Sequence, residues 1–228
     1  TVGTDGLTPG TTSQVSLTYV KYVAAGITKT LSINTDSSTN KYCLPVSAPV
    51  ITLVGSIPTV TVNSGSGSTL NLSAQNKIGS VTVKADAQGA IKVRQLLFAV
   101  SNSGFSSGPT ITDTPGTTPF LALAGSQTQI SGSSCTSGGG IATITCILGS
   151  SSYVTDFLIP ANQSTTFDLY ATVGGTAASG AKAAISTSLT SAGFVWDDTS
   201  TNGAAGSTGL TGEKIYGFPT SSYTISQQ

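Results

Sequence analysis

The chain has 228 residues, nine of them Lys or Arg and nine Asp or Glu, so 8% is charged and the formal net charge is zero. It contains no His, which excludes Ser-His-Asp and Cys-His catalytic pairs and any His-bearing zinc site, and a neutral chain lacks the electrostatic footprint of nucleic-acid binding. With 37 Thr, 34 Ser and 27 Gly, solubility rests on hydroxyls, while 38% apolar residues set the chain apart from disordered sequences.

The opening TVGTDGLTPGTT has neither the basic n-region nor the apolar h-region of a signal peptide, so any export leader is expected to be gone already. Period two then takes over. Val15, Leu17 and Tyr19 alternate with polar residues before Val20 and Tyr22 take the other face. Leu31 and Ile33, residues 50–54, Val60 and Val62, Leu70 and Leu72, and Val81, Val83 and Ala85 continue the pattern into a long apolar stretch at 91–100. A second series covers 120–123, 141–148, 154–159, 167–173, 183–189, 194–196 and 215–218. Val, Ile, Thr, Tyr and Phe fill these runs, and Gly, Pro, Asn and Ser punctuate them, which is strand chemistry. The Ala-rich stretch 176–185 reads as loop and strand because Gly180 interrupts it. No run reaches the roughly eighteen apolar residues of a membrane span. The fold expected is all-β, an antiparallel β-sandwich of Ig-like or jelly-roll-like type, with room for two sandwich units.

The Ser/Gly tract at 63–68 has two readings. As a flexible connector it divides the chain into an N-terminal β region, 1–66, holding a donor strand or a partial sandwich unit, and a main sandwich, 67–228. As a hairpin loop it lies within one sandwich. The stretch 23–33 also lines up with 159–169, each an apolar residue and a small turn running into a Thr-bearing strand, which suggests an internal repeat.

Cys135 and Cys146 flank CTSGGGIATITC, whose Ser-Gly-Gly-Gly tract can fold the chain back and set the two sulfurs opposite each other as a disulfide. Cys43 is then left over, as a buried thiol or a link to another chain. Asp197 and Asp198 are adjacent carboxylates on a strand; they point to opposite faces, so they form no acid and base pair, and they read as a solvated strand end. Trp196 is either a core anchor or, if exposed, a platform for sugar stacking. Asn71 and Asn162 begin the patterns Asn-Leu-Ser and Asn-Gln-Ser and are candidate glycosylation sites. No residue set suggests a catalytic centre, a metal site or a cofactor.

The segments KIGSVTVKADAQGAIKVRQLLFAVSNSG (77–104), FLIPANQSTTFDLYATV (157–173), SAGFVWDD (191–198) and EKIYGFPTSSYTIS (213–226) resemble β-sandwich repeats of large surface and pilus-associated proteins of bacterial candidate phyla. Those repeats carry an Ala-Asp turn, a Pro-Ala-Gly-Thr-Thr-like strand entry and a Phe-x-Trp-Ser/Thr-Asp segment. This chain departs from them with Asp197 where Ser or Thr is usual and Asn162 in place of Gly. The resemblance covers residues 77–226 and implies an extracellular location and a structural or adhesive role, with no catalytic residues.

Charge is sparse on the strands, and segments such as 141–148 and 166–173 carry almost none of the Lys, Pro or inward charge that blunts a sheet edge. Such edges invite strand addition from a neighbour, with the N-terminal 1–23 or the C-terminal SSYTISQQ as donor. The function expected is that of an extracellular, cell-surface structural subunit of a pilus-like filament, not an enzyme, whose partner is itself in a head-to-tail homopolymer. A carbohydrate- or surface-binding adhesin module is the first alternative, and a viral capsid or tail protein is the second.

Overall fold

A computed structural model describes residues 12–13, 16–17, 19–32, 46–47, 51–52, 55–111, 118–138, 141–149, 157–198 and 209–228. The chain divides into two compact units, 1–54 and 55–228.

In the first unit Thr12–Ser13 pairs with Ile51–Thr52, and Ser16–Leu17 with Val46–Ser47, both antiparallel. Its longest feature is a hairpin of Tyr19–Ala24 against Ile27–Ser32, a sheet of two strands. Ala25 and Gly26 turn it with φ of 53° and 78°. Two consecutive left-handed residues are the requirement of the tight turn that matches strand twist, and only the second is the residue that meets it without strain.

The second unit is an antiparallel β-sandwich. Its strands are β1 (Thr59–Val62), β2 (Gln75–Lys84), β3 (Ile91–Ser103), β4 (Phe105–Ile111), β5 (Phe120–Leu123), β6 (Ser134–Gly138), β7 (Thr143–Ile147), β8 (Phe157–Ile159), β9 (Ser164–Ala177), β10 (Ala184–Leu189), β11 (Val195–Asp197), β12 (Leu210–Thr211) and β13 (Ser222–Ser226). One sheet runs β4-β9-β2-β1, with β5 also on β9. The other runs β6-β7-β3-β10-β13, with β8 and β11 on β3 and β12 on β11. A short 3-10 turn, Gly212–Lys214, lies between β12 and β13.

Alternation sends one face of each long strand inward. Ile78, Val81 and Val83 of β2, Phe167 and Leu169 of β9, and Val93, Leu96 and Phe98 of β3 are all buried in the core between the sheets. Pairing slips where Leu169 faces Gly79 but Tyr170 faces Lys77, which leaves Ile78 as a bulge in β2. The Ile78 carbonyl accepts a 2.6 Å hydrogen bond from the buried Thr187 hydroxyl of β10, in the opposite sheet. A cross-sandwich bond thus satisfies a backbone acceptor at the bulge, as burial demands.

β6 and β7 form the hairpin that the cysteine spacing anticipates. Cys135 lies directly opposite Cys146 in the register, and the two are joined as a disulfide with Cα atoms 4.0 Å apart. Both are buried. Reduction, or replacement of both by Ala, is expected to lower stability by about 2–4 kcal/mol through the loosened unfolded chain. Thermal unfolding with and without reductant measures this, and an unchanged midpoint would contradict it.

Three expectations change. The boundary lies at 54/55, not 66/67, because β1 is hydrogen-bonded into the main sheet. The Ser/Gly tract is a loop of the sandwich: the Ser68 amide bonds the Gly65 carbonyl, and a Cβ on Gly65 would collide with the Thr224 carbonyl. The 23–33 and 159–169 stretches are not structural repeats. The first is one hairpin, whereas the turn at 160–163 carries the chain from β8 in one sheet to β9 in the other.

Candidate assembly edge

Most of the sandwich's sheet edges are already covered or broken. β5 is flanked by the next turn, where the Ile130 amide donates 2.8 Å to the Leu121 carbonyl. β4 holds Gly108 and Pro109 and loses register twice against β9, and Pro is a known edge blocker. β13 receives the Leu70 amide on its Ser226 carbonyl at 3.0 Å and forms a parallel bridge to Thr69. β6 is tied to β7 by the disulfide, and its outer side has no strand among the described residues.

β1 differs. Its sequence Thr-Val-Thr-Val has no charge and no Pro, and its register against β2 is unbroken. The Asn63 amide bonds the Ser80 carbonyl at 2.9 Å, which makes 63 and 80 a hydrogen-bonded pair. In an antiparallel ladder such pairs alternate, so Thr61 and Thr59 also bond to β2, while the N–H and C=O groups of Val60 and Val62 point away from it. No strand pairs with that side among the described residues. Alongside runs a groove of about 260 Å³ lined by Ile57, Pro58, Val60, Lys214, Ile215 and Tyr216 among others. Ile57 is 47% exposed and Tyr216 is fully exposed.

The outer face next to this edge is held by hydroxyls rather than charge. The Asn63 Nδ2 donates to Ser80 Oγ at 2.9 Å and to Thr82 Oγ1 at 3.1 Å, and Thr82 Oγ1 lies 2.7 Å from Thr166 Oγ1. Ser80 Oγ donates 2.7 Å to Asp168 Oδ1, whose other oxygen meets Lys77 Nζ at 3.5 Å. Burial, reinforced by the negative Asp168, raises the pKa of the neighbouring Tyr170 hydroxyl. Tyr170 stacks on Phe120 with ring centroids 5.3 Å apart.

The single-residue candidates fall as follows. Trp196 is completely buried and serves the core, not a sugar platform. Asn71 and Asn162 are placed in loops, and Asn162 is exposed and holds a left-handed φ of 60°. Cys43 lies outside the described residues. Asp197 and Asp198 are not a solvated strand end: both are buried, with Asp197 Oδ2 2.7 Å from Arg94 Nη2 and Asp198 Oδ2 accepting the Gly55 amide. Short polar side chains at a strand end look solvent-facing in sequence. Partners 103 and 143 residues away help to make their burial tolerable.

The segments expected to be bare edges are interior. β7 lies between β6 and β3, and β9 lies between β2 and the pair β4 and β5, so both need no charge because both are paired on each side. The C-terminal segment is likewise built into its own sheet, with β13 paired to β10 and its Tyr223 and Ile225 buried. It is not a free donor. Of the N-terminal 1–23, only the residues named above are described.

No protein-family model and no curated protein matches the chain. Among solved structures it is similar to the fimbrial adhesin FimA of Actinomyces, at 11% identity and a TM-score of 0.29, over 74% of this chain and 54% of that one. It is also similar to BcpA, the major pilin subunit of Bacillus cereus, at 8% identity and a TM-score of 0.28, over 91% of this chain and 50% of that one. The chain thus spans about half the length of each. At such scores neither likeness bears on function, which has to be read from the geometry of the sheet edges.

Proposed function

We propose that this chain is an extracellular structural subunit of a pilus-like surface filament, polymerising with copies of itself through β-strand addition. The observation that carries the reading is β1: an unbroken, uncharged edge beside a groove that Ile57, Val60, Ile215 and Tyr216 share with Lys214, on a sandwich whose other edges are mostly covered, broken or covalently tied. Edge protection is the rule for soluble β-proteins, and an edge left open amid protected ones is a site for an added strand. The hydroxyl-rich outer face suits close packing of copies, because like charges repeated at each subunit would repel.

Purified protein, concentrated stepwise and followed by sedimentation velocity and electron microscopy, is expected to pass from monomers to fibres of regular width. A chain that stays monomeric at every concentration would sink the proposal. The adhesin alternative is weakened by the burial of Trp196, which withdraws its stacking platform.

A further inference from the structure

The self-assembly reading leaves open which strand fills the β1 edge, and we propose that it is the Tyr19–Ser32 hairpin of a second copy. The edge asks for two things, a strand with a free side and apolar side chains beside the groove, and the hairpin, which also carries Lys21 and Lys29, offers both. Its strands pair only with one another, which leaves the far side of each without a strand among the described residues. A lone two-stranded hairpin is marginal in water and gains from a third strand.

At the tip, Tyr22 is 42%, Val23 69% and Ile27 63% exposed, three of the eight large apolar side chains exposed among the described residues. Of the exposed large apolar residues on the other unit, Ile57 and Tyr216 flank β1, while Leu123, Ile147 and Leu158 lie on other strands. Both halves of the contact are therefore on one chain, and a second copy supplies the complement to each. Hairpin and edge are different surfaces. The contact is heterologous, and each subunit that docks by its hairpin still presents an open β1 to the next.

Two variants separate this proposal from the broader reading. Val23→Asp with Ile27→Asp spoils the hairpin tip, where both side chains are already in solvent. Val62→Pro removes an outward-facing amide from β1 without removing a bond to β2, a position where an edge strand tolerates Pro. Circular dichroism and thermal unfolding confirm that each variant folds; if Val62→Pro does not, Thr61→Lys, at an exposed position on the same edge, replaces it.

Each variant alone is expected to remain monomeric under conditions where the unaltered chain forms fibres. Mixed in equal amounts, they are expected to form a 1:1 dimer and nothing longer, because the intact hairpin of one docks on the intact edge of the other. Fibres from the hairpin variant alone, or a mixture that stays monomeric, overturn the proposed occupant while leaving self-assembly standing. An unaltered chain that never associates overturns both.

Discussion

Replacing Arg94 with Ala is expected to destabilise the sandwich by about 3–5 kcal/mol, because it strands the carboxylate of Asp197 in the protein interior. The two groups meet at 2.7 Å with side-chain exposures of 16% and 4%. They belong to neighbouring strands, and the register between β3 and β11 slips between Val195, opposite Gln95, and Trp196, opposite Val93. Arg94 therefore sits in the bulge, where its guanidinium is turned toward the end of β11. Removing only the cation leaves a charge that water cannot reach. Removing both charges does not, so Arg94→Met with Asp197→Leu is expected to cost far less than Arg94→Ala alone. Urea unfolding of the three proteins measures the difference. Equal losses for single and double variants would show that the pair's electrostatics are not what the site depends on.

Trp196→Ala is expected to cost about 3–5 kcal/mol, through the cavity left by the largest fully buried side chain among the described residues. Trp196 lies on β11 between Asp197 and Val195, paired across to Val93 on one side and Leu210 on the other. Its indole Nε1 has no hydrogen-bond partner among the described residues. The ring therefore contributes by volume and apolar contact, and Trp196→Phe, which keeps much of both and removes an unpartnered donor, is expected to lose much less than Trp196→Ala. If the Phe variant were as unstable as the Ala variant, an unseen polar contact of the indole would have to be credited instead.

Both sites depend on partners that local sequence does not reveal, and that divides what is legible in the chain from what is not. Period-two alternation identifies most of the sandwich strands, since Val81, Val83, Phe167 and Leu169 obey the local rule that alternate residues share a face. The disulfide is legible for the same reason: a turn-forming tract between Cys135 and Cys146 is a local arrangement that places two strands side by side. Sheet order is not local. β3 alone pairs with four strands drawn from 143–147, 157–159, 184–189 and 195–197, and no alternation pattern says which of them it meets. The missing charge on 141–148 and 166–173 therefore points to edges in sequence, although those strands are interior. Asp197 and Asp198 look solvated in sequence because their partners, Arg94 and the Gly55 amide, are remote along the chain.

The lack of charge keeps its meaning for assembly at the four residues of β1. Interior strands need no gatekeepers, and several other edges are covered or broken by Leu70, Ile130 or Pro109. On β1 two backbone amides, those of Val60 and Val62, are aimed outward beside the groove.

Amide hydrogen exchange at Val60 and Val62 in dilute and assembled protein tests the role of this edge most directly. In the monomer both are expected to exchange quickly while the Thr59 and Thr61 amides, bonded to β2, exchange slowly; in fibres all four are expected to be slow. Fibres in which Val60 and Val62 exchange as fast as in the monomer would show that copies join elsewhere and that β1 is not the edge that assembles.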